Sequence, residues 1–88
     1  MSDITVEPID ETTYRVTVSE GGSSSMHEVW TDPADVERLG RGDGPALVEA
    51  SVRFLLDREP KESIMGQFDL AVISRFFPEY ESRIGDYL

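Results

Sequence analysis

His27 is the only histidine of the chain, and it follows three serines at positions 23–25. A serine activated by a neighbouring histidine is the nucleophile that such a group could provide. These serines lack the Gly-x-Ser-x-Gly turn that exposes a nucleophile between a strand and a helix. A single imidazole also excludes a two-histidine metal site. We therefore interpret His27 as a strand residue at the margin of a sheet and the serines as the rim of a loop.

Carboxylates are the other groups that could do chemistry, and the chain has 18 of them. So many acids form close pairs by chance, and none follows the Asp-x-Asp-x-Asp-Gly pattern of a calcium loop. The stretch GRGDGP lacks the Lys-Ser/Thr pair of a phosphate-binding loop. We interpret its Arg41-Gly42-Asp43 triplet, which coincides with a cell-adhesion tripeptide, as a turn. The sequence thus predicts no catalytic residue, no cofactor and no metal site.

The stretch SIMGQFDLAVISRFF, residues 63–77, has the layout of two short helices around a glycine turn, as in a helix-turn-helix DNA reader. Such a reader needs a second face rich in Arg, Lys, Asn or Gln, and Arg75 is the cation that the outward face offers. DNA-binding proteins commonly neutralise about 6 to 10 phosphates. We therefore predict that this stretch completes the core. A helix capped by Asp69 would place these apolar residues on one side: Leu70, Val72, Ile73, Phe76 and Phe77.

The composition is that of a small acidic domain. The chain has 88 residues, a formal charge of −10 and no cysteine, which predicts one domain over residues 1–88 without disulfides. The negative charge opposes binding to nucleic acids and to anionic membranes. No apolar run reaches the length of a membrane span, and MSDITVEPID does not resemble a signal peptide. We expect a soluble cytoplasmic protein with little room for a ligand pocket of about 300 Å³ or more.

The first third of the chain has the period-two alternation of half-buried strands. Apolar and polar residues alternate in TYRVTVS, residues 13–19, and DITVEPI and SMHEVWT indicate further strands at 3–9 and 25–31. A two-residue turn at Gly21 and Gly22 would join the second and third strands into a hairpin. The cross-strand pairs in that register are Tyr14 with Val29, Val16 with His27, and Arg15 with Glu28.

This register leaves Met26 and Trp30 on the outer face of the sheet, where we predict an interaction surface beside a free sheet edge. The alternative is a register slipped by one residue. It would bury Met26 and Trp30 but would turn Glu28 inward without an obvious partner.

After the strands the apolar period becomes helical. TDPADVERLG predicts a short helix with Asp32 as its cap and Gly40 after its end. PALVEASVRFLLDRE, residues 45–59, carries an apolar arc of about 240°, so this helix must be covered on two sides. A last turn near residues 78–84 leaves Tyr87 and Leu88 as an apolar clasp or a frayed end. The predicted fold is α+β: a three-stranded antiparallel meander over residues 3–31, followed by three to four helices packed on one face over residues 33–84.

The last half of the chain contains FLLDREPKESI, residues 54–64, followed by FDLAVISRFFPEYE, residues 68–81. This pair of segments resembles the signature of a family of small uncharacterised prokaryotic proteins. The resemblance implies no activity, ligand or partner, so no functional residue is carried over from it. The N-terminal strands add nothing specific to the resemblance.

Three functions remain open from the residues alone. We favour a small non-enzymatic protein-protein interaction or accessory module, whose partner is another protein or a second copy of the chain. The alternative is a nucleic-acid-associated regulator that uses the helix-turn-helix-like segment 60–77. The third hypothesis is a small acidic enzyme or ligand binder, although the residues predict no small-molecule ligand.

Overall fold

The alternating residues of the first third form three antiparallel strands, and the rest of the chain is mostly helical. The computed structural model describes residues 3–88, and the α+β class predicted from the sequence is confirmed within that range. No helix in this range has the length and apolar character needed to cross a bilayer. The strands are β1 (Asp3–Pro8), β2 (Thr13–Glu20), β3 (Ser23–Trp30) and β4 (Gln67–Asp69). The helices are α1 (Pro33–Gly40), α2 (Gly44–Leu56), α3 (Ile73–Phe76) and α4 (Tyr80–Arg83), with 3₁₀ turns at Lys61–Ser63, Leu70–Val72 and Ile84–Tyr87.

The β2–β3 hairpin has the predicted register. Gly21 and Gly22 adopt φ angles of +58° and +85°, the left-handed values that a type I′ turn requires at both central positions. Tyr14 therefore pairs with Val29, and Thr13 pairs with Trp30. The one-residue slip considered as an alternative does not occur, because the observed pairing is the one set by a two-residue turn.

A fourth strand corrects the prediction of a three-stranded meander. β4 lies parallel to β3 at the edge of the sheet, so the strand order is β1-β2-β3-β4 and the sheet is mixed. The Glu28 amide donates to the Gly66 carbonyl at 2.8 Å just before β4 begins. Gln67, Phe68 and Asp69 contain one inward apolar residue and no alternating run, so β4 leaves almost no pattern in the sequence.

Helix α2 is covered on more than one side, as its wide apolar arc predicts. It contacts β1 and β2 of the sheet, α1, and the last 3₁₀ turn. Its buried side chains include Leu47, Val52 and Phe54, all fully inaccessible to solvent. The helix ends at Leu56, three residues before the predicted Glu59, and the chain turns there toward Pro60.

Helix α1 begins as predicted but ends differently. The Asp32 Oδ1 accepts a hydrogen bond from the Ala34 amide at 2.8 Å, which is the expected cap. Gly40 was predicted to follow the helix, yet it is the last helical residue, and Arg41 takes the left-handed conformation with φ +56°. A Cβ at Gly40 would lie 2.8 Å from the Leu47 Cβ, so close packing on α2 is the reason for glycine there.

The turn between α1 and α2 is the predicted one at residues 41–43. The Asp43 Oδ1 accepts from the Ala46 amide at 3.0 Å and so caps α2. The aspartate of the Arg-Gly-Asp triplet therefore has a structural partner within the chain.

Segment 60–77 does not form the two helices of a helix-turn-helix. It contains a 3₁₀ turn, the strand β4, a second 3₁₀ turn and the single helical turn α3. Asp69 does cap as predicted, since its Oδ1 accepts from the Ala71 amide at 2.9 Å, but the helix begins as a 3₁₀ turn. The hypothesis of a nucleic-acid regulator that uses this segment as a helix-turn-helix therefore loses its structural basis.

An aromatic cluster closes the core at the C-terminal end, formed by Phe54, Phe77, Tyr80 and Tyr87. The rings of Phe77, Tyr80 and Tyr87 meet Phe54 edge-on, with centroids 5.9, 5.3 and 5.8 Å away. The Tyr87 hydroxyl donates to the Asp57 Oδ2 at 2.5 Å. Tyr87 thus forms the predicted clasp, whereas Leu88 is exposed.

Candidate interaction surface

The two predicted surface residues lie on the outer face of the sheet. Met26 and Trp30 are 60% and 36% exposed, as the hairpin register requires. They are four residues apart on β3, which separates them by about 13 Å along the strand. Glu28 lies between them, and Arg15 lies opposite Glu28. The two apolar side chains are therefore separated by charged residues and do not form one continuous patch.

A continuous apolar surface occurs elsewhere, and the sequence prediction missed it. A groove of about 360 Å³, called the apolar groove below, lies between the end of α2, the 3₁₀ turn at Lys61–Ser63, β4 and α3. Its size contradicts the expectation of little room for such a pocket. The lining residues are Leu55, Glu59, Ser63, Ile64, Met65, Phe68, Val72, Ile73, Phe76 and Phe77.

The apolar groove has a buried floor and an exposed rim. The buried residues of its lining are Leu55, Ile64, Phe68 and Ile73, which belong to the core. Phe76 and Met65 on the rim are 67% and 45% exposed. Buried core residues are therefore accessible from the surface here, and the side chains of Met65 and Phe76 lie on either side of them.

Phe76 is exposed because α3 is too short to bury five apolar residues on one side. Leu70 and Ile73 are buried, and Phe77 packs against Phe54. The prediction that Phe76 is a core residue is wrong, because α3 ends before a further turn could cover this ring.

The backbone of Met65 is held to the sheet by the lone histidine. The His27 Nδ1 lies 2.8 Å from the Met65 carbonyl oxygen, and the Nε2 lies 2.8 Å from the Ser25 Oγ. A carbonyl can only accept, so Nδ1 carries a proton, and in the neutral ring Nε2 accepts from the serine hydroxyl. His27 is buried, with both nitrogens bonded, which gives it a structural role at the edge of β3.

Glu59 is the charged residue of the groove lining, and it is half-buried. Within residues 3–88 its carboxylate has no hydrogen-bond or ion-pair partner. The adjacent Arg58 is directed away, with its guanidinium 3.6 Å from the centre of the Phe54 ring. The lining therefore combines apolar side chains with one unpaired negative charge.

The nearby Lys61, the only lysine of the chain, is buried and bonded to the Glu62 carboxylate. That hydrogen bond lowers the pKa of Glu62 below its ordinary value. Both charges of this pair are thus satisfied without contact to Glu59.

A second, smaller groove of about 240 Å³ lies beside α1 and differs in character. Arg38 in its lining donates to the Glu81 carboxylate at 2.8 Å and to Asp35 at 2.8 Å. These hydrogen bonds, chiefly that to Glu81, raise the pKa of Arg38. The charged groups of this groove, Asp35, Arg38 and Glu81, are already paired with one another.

The chain matches no protein-family model, no curated protein and no solved structure. The resemblance of residues 54–81 to a prokaryotic family therefore stays a prediction. Within residues 3–88 no group of three or more His, Asp or Glu side chains is arranged to hold a metal ion.

Proposed function

We propose that the protein is a small non-enzymatic protein-protein interaction module that binds a segment of a partner through the apolar groove. The observation that carries the proposal is the exposure of Phe76, 67%, next to a floor formed by core residues. Large aromatic side chains that insert into or flank a pocket supply most of the binding energy at protein interfaces. Burying a phenylalanine side chain contributes about 1.5 to 3 kcal/mol.

The shape of the apolar groove favours a protein segment over a small molecule. Ligand pockets commonly bury about 70 to 90% of a small ligand. Here Met65 and Phe76 are themselves largely exposed, so the groove is a surface feature bordered by side chains that a partner would cover.

The charge of the chain favours a different protein as the partner over a second copy. Each molecule has a formal charge of −10, and two copies in contact would repel each other. Self-association stays the alternative, and the mass in solution measured by sedimentation equilibrium distinguishes the two.

The outer face with Met26 and Trp30 is the weaker candidate surface. Single exposed apolar residues are common on soluble proteins, and Glu28 separates these two. Met26 is nevertheless useful experimentally, because its exposure of 60% is close to that of Phe76.

The experiment uses short random peptides displayed and selected on the wild-type protein. We expect the selected peptides to bind Phe76→Asp at least about tenfold more weakly, because a carboxylate would replace the aromatic contact. Met26→Asp is the matched control and should leave their affinity unchanged. Peptides that bind Phe76→Asp as well as wild type would overturn the proposal, and a loss in Met26→Asp alone would assign binding to the outer face.

A further inference from the structure

We infer that the partner segment carries a lysine or arginine next to its apolar anchor, and that this cation pairs with Glu59 when the anchor occupies the apolar groove. The inference rests on the proposed function, since it specifies the chemistry of the segment that the groove binds. Two observations support it. Four of the other glutamates in residues 33–88 are paired with cations of the chain, and the two cations nearest to Glu59 in sequence already have other hydrogen-bond partners.

Of the six glutamates in residues 33–88, Glu59 and Glu37 have no cation beside them among residues 3–88, and Glu37 is exposed whereas Glu59 is half-buried. The other four are paired within the chain: Glu49 with Arg53 at 3.4 Å, Glu62 with Lys61, Glu79 with Arg58 at 3.1 Å, and Glu81 with Arg38 at 2.8 Å. Within residues 3–88 the Glu59 carboxylate has no such partner, although it is half-buried in an apolar lining. A partner that covered the groove without bringing a cation would bury an unpaired charge, which is costly.

The two cations nearest to Glu59 in sequence, Arg58 and Lys61, form hydrogen bonds with other residues. Arg58 donates to the Phe54 carbonyl at 3.0 Å and to the Glu79 carboxylate at 3.1 Å. Lys61 is 4% exposed and bonded to Glu62. Arg75 is exposed beside Phe76 but does not line the groove. Because no cation of residues 3–88 lines the groove, we expect the positive charge that matches Glu59 to come from the partner.

The charge of the whole molecule favours the same kind of segment. A formal charge of −10 attracts basic segments at a distance and repels acidic ones. This general attraction falls with added salt, whereas a contact with Glu59 depends on one side chain. The two effects can be separated because only the second is removed by a single substitution.

The test uses the selected peptides whose binding depends on Phe76. We expect them to contain an aromatic or aliphatic anchor with a nearby Lys or Arg, and to bind Glu59→Gln roughly two- to tenfold more weakly. Arg75→Gln is the matched control, since it removes an exposed charge near the rim without altering the lining. We expect it to leave the affinity unchanged or to increase it slightly. Thermal melting of each variant checks that the fold is intact.

A double-mutant cycle decides whether the cation contacts Glu59. Replacing the peptide Lys or Arg by Gln should weaken binding to wild type and have little further effect in Glu59→Gln. Equal losses in both backgrounds would show attraction to the overall charge alone and would overturn the inference, as would Phe76-dependent peptides without a cation. In either case the proposed function stands. Failure to select any Phe76-dependent peptide overturns the proposed function and the inference together.

Discussion

The aromatic cluster and the apolar groove share Phe77 as a common wall, yet Phe54 in the cluster and Phe76 on the rim of the groove differ sharply in exposure. Phe54 in the cluster is fully buried, with three rings meeting it edge-on and a guanidinium over its face. Phe76 at the groove is 67% exposed. The cluster is enclosed by α2, α3, α4 and the last 3₁₀ turn, whereas the groove is bordered by short elements that leave one side uncovered. The same residue type therefore stabilises the fold in one region and is available for binding in the other.

Among the tests of this difference, truncation of Phe54 should have the largest effect on stability. We expect Phe54→Ala to lower the free energy of unfolding by about 3 to 5 kcal/mol, because a buried ring leaves a cavity that its neighbours fill only in part. Equilibrium urea unfolding measures the change. A loss below about 1 kcal/mol would mean that the cluster is not the closed part of the core.

The buried Tyr80 provides a pH test of the same cluster. Burial, the main cause, raises the pKa of Tyr80 from 10.0 to about 12. Between these values the unfolded chain has lost the phenolic proton and the folded chain has kept it. The free energy of unfolding should therefore fall as the pH rises through this interval, by about 1.4 kcal/mol per pH unit.

Tyr80→Phe is the control for that prediction. It removes the titrating hydroxyl and its 2.6 Å hydrogen bond to the Ser51 Oγ, which also donates to the Leu47 carbonyl. We expect a cost of about 1 kcal/mol at neutral pH and a smaller loss of stability in alkali than in wild type. If the variant and wild type lose stability equally above pH 10, other groups cause the alkaline unfolding.

Gly44 and Gly66 allow a comparison between a closely packed position and an open one. A Cβ at Gly44 would lie 2.0 Å from the hydroxyl oxygen of the buried Tyr14, whereas a Cβ at Gly66 would meet nothing within 4 Å. Ala normally stabilises a helix relative to Gly, but the clash should make Gly44→Ala cost about 1 to 3 kcal/mol. Gly66→Ala should change stability by less than about 0.5 kcal/mol or raise it slightly. Thermal unfolding of both variants measures this contrast, and equal effects would contradict it.

The closed part of the molecule was the part that the sequence predicted well. The hairpin follows from a two-residue Gly-Gly turn and a strict alternation, which favour the observed register over a one-residue slip. The burial of α2 follows from an apolar arc too wide for a surface helix. Asp32 and Asp69 act as caps because capping depends on a residue and its neighbours two positions on.

The groove could not be predicted by the same reasoning. β4 forms by pairing with the free edge of β3, which lies about 40 residues earlier in the chain. The three residues of β4 alone do not encode this long-range contact. The exposure of Phe76 depends on α3 ending after one turn, so that no later turn covers it. Glu59 became part of the lining because α2 ends before it, where the pattern predicted continued helix. The sequence therefore predicted the buried core but not the apolar groove.

The smallest expected change in stability belongs to Phe76→Ala, and it is the closest counterpart of Phe54→Ala. Because the ring is already 67% exposed, its removal should change the free energy of unfolding by less than about 0.5 to 1 kcal/mol. The same variant should weaken the selected peptides about tenfold, since their anchor would lose the aromatic rim. Urea unfolding and peptide titration on one sample measure both quantities. A stability loss approaching that of Phe54→Ala would make Phe76 a core residue after all, and the distinction between a closed cluster and an open groove would then fail.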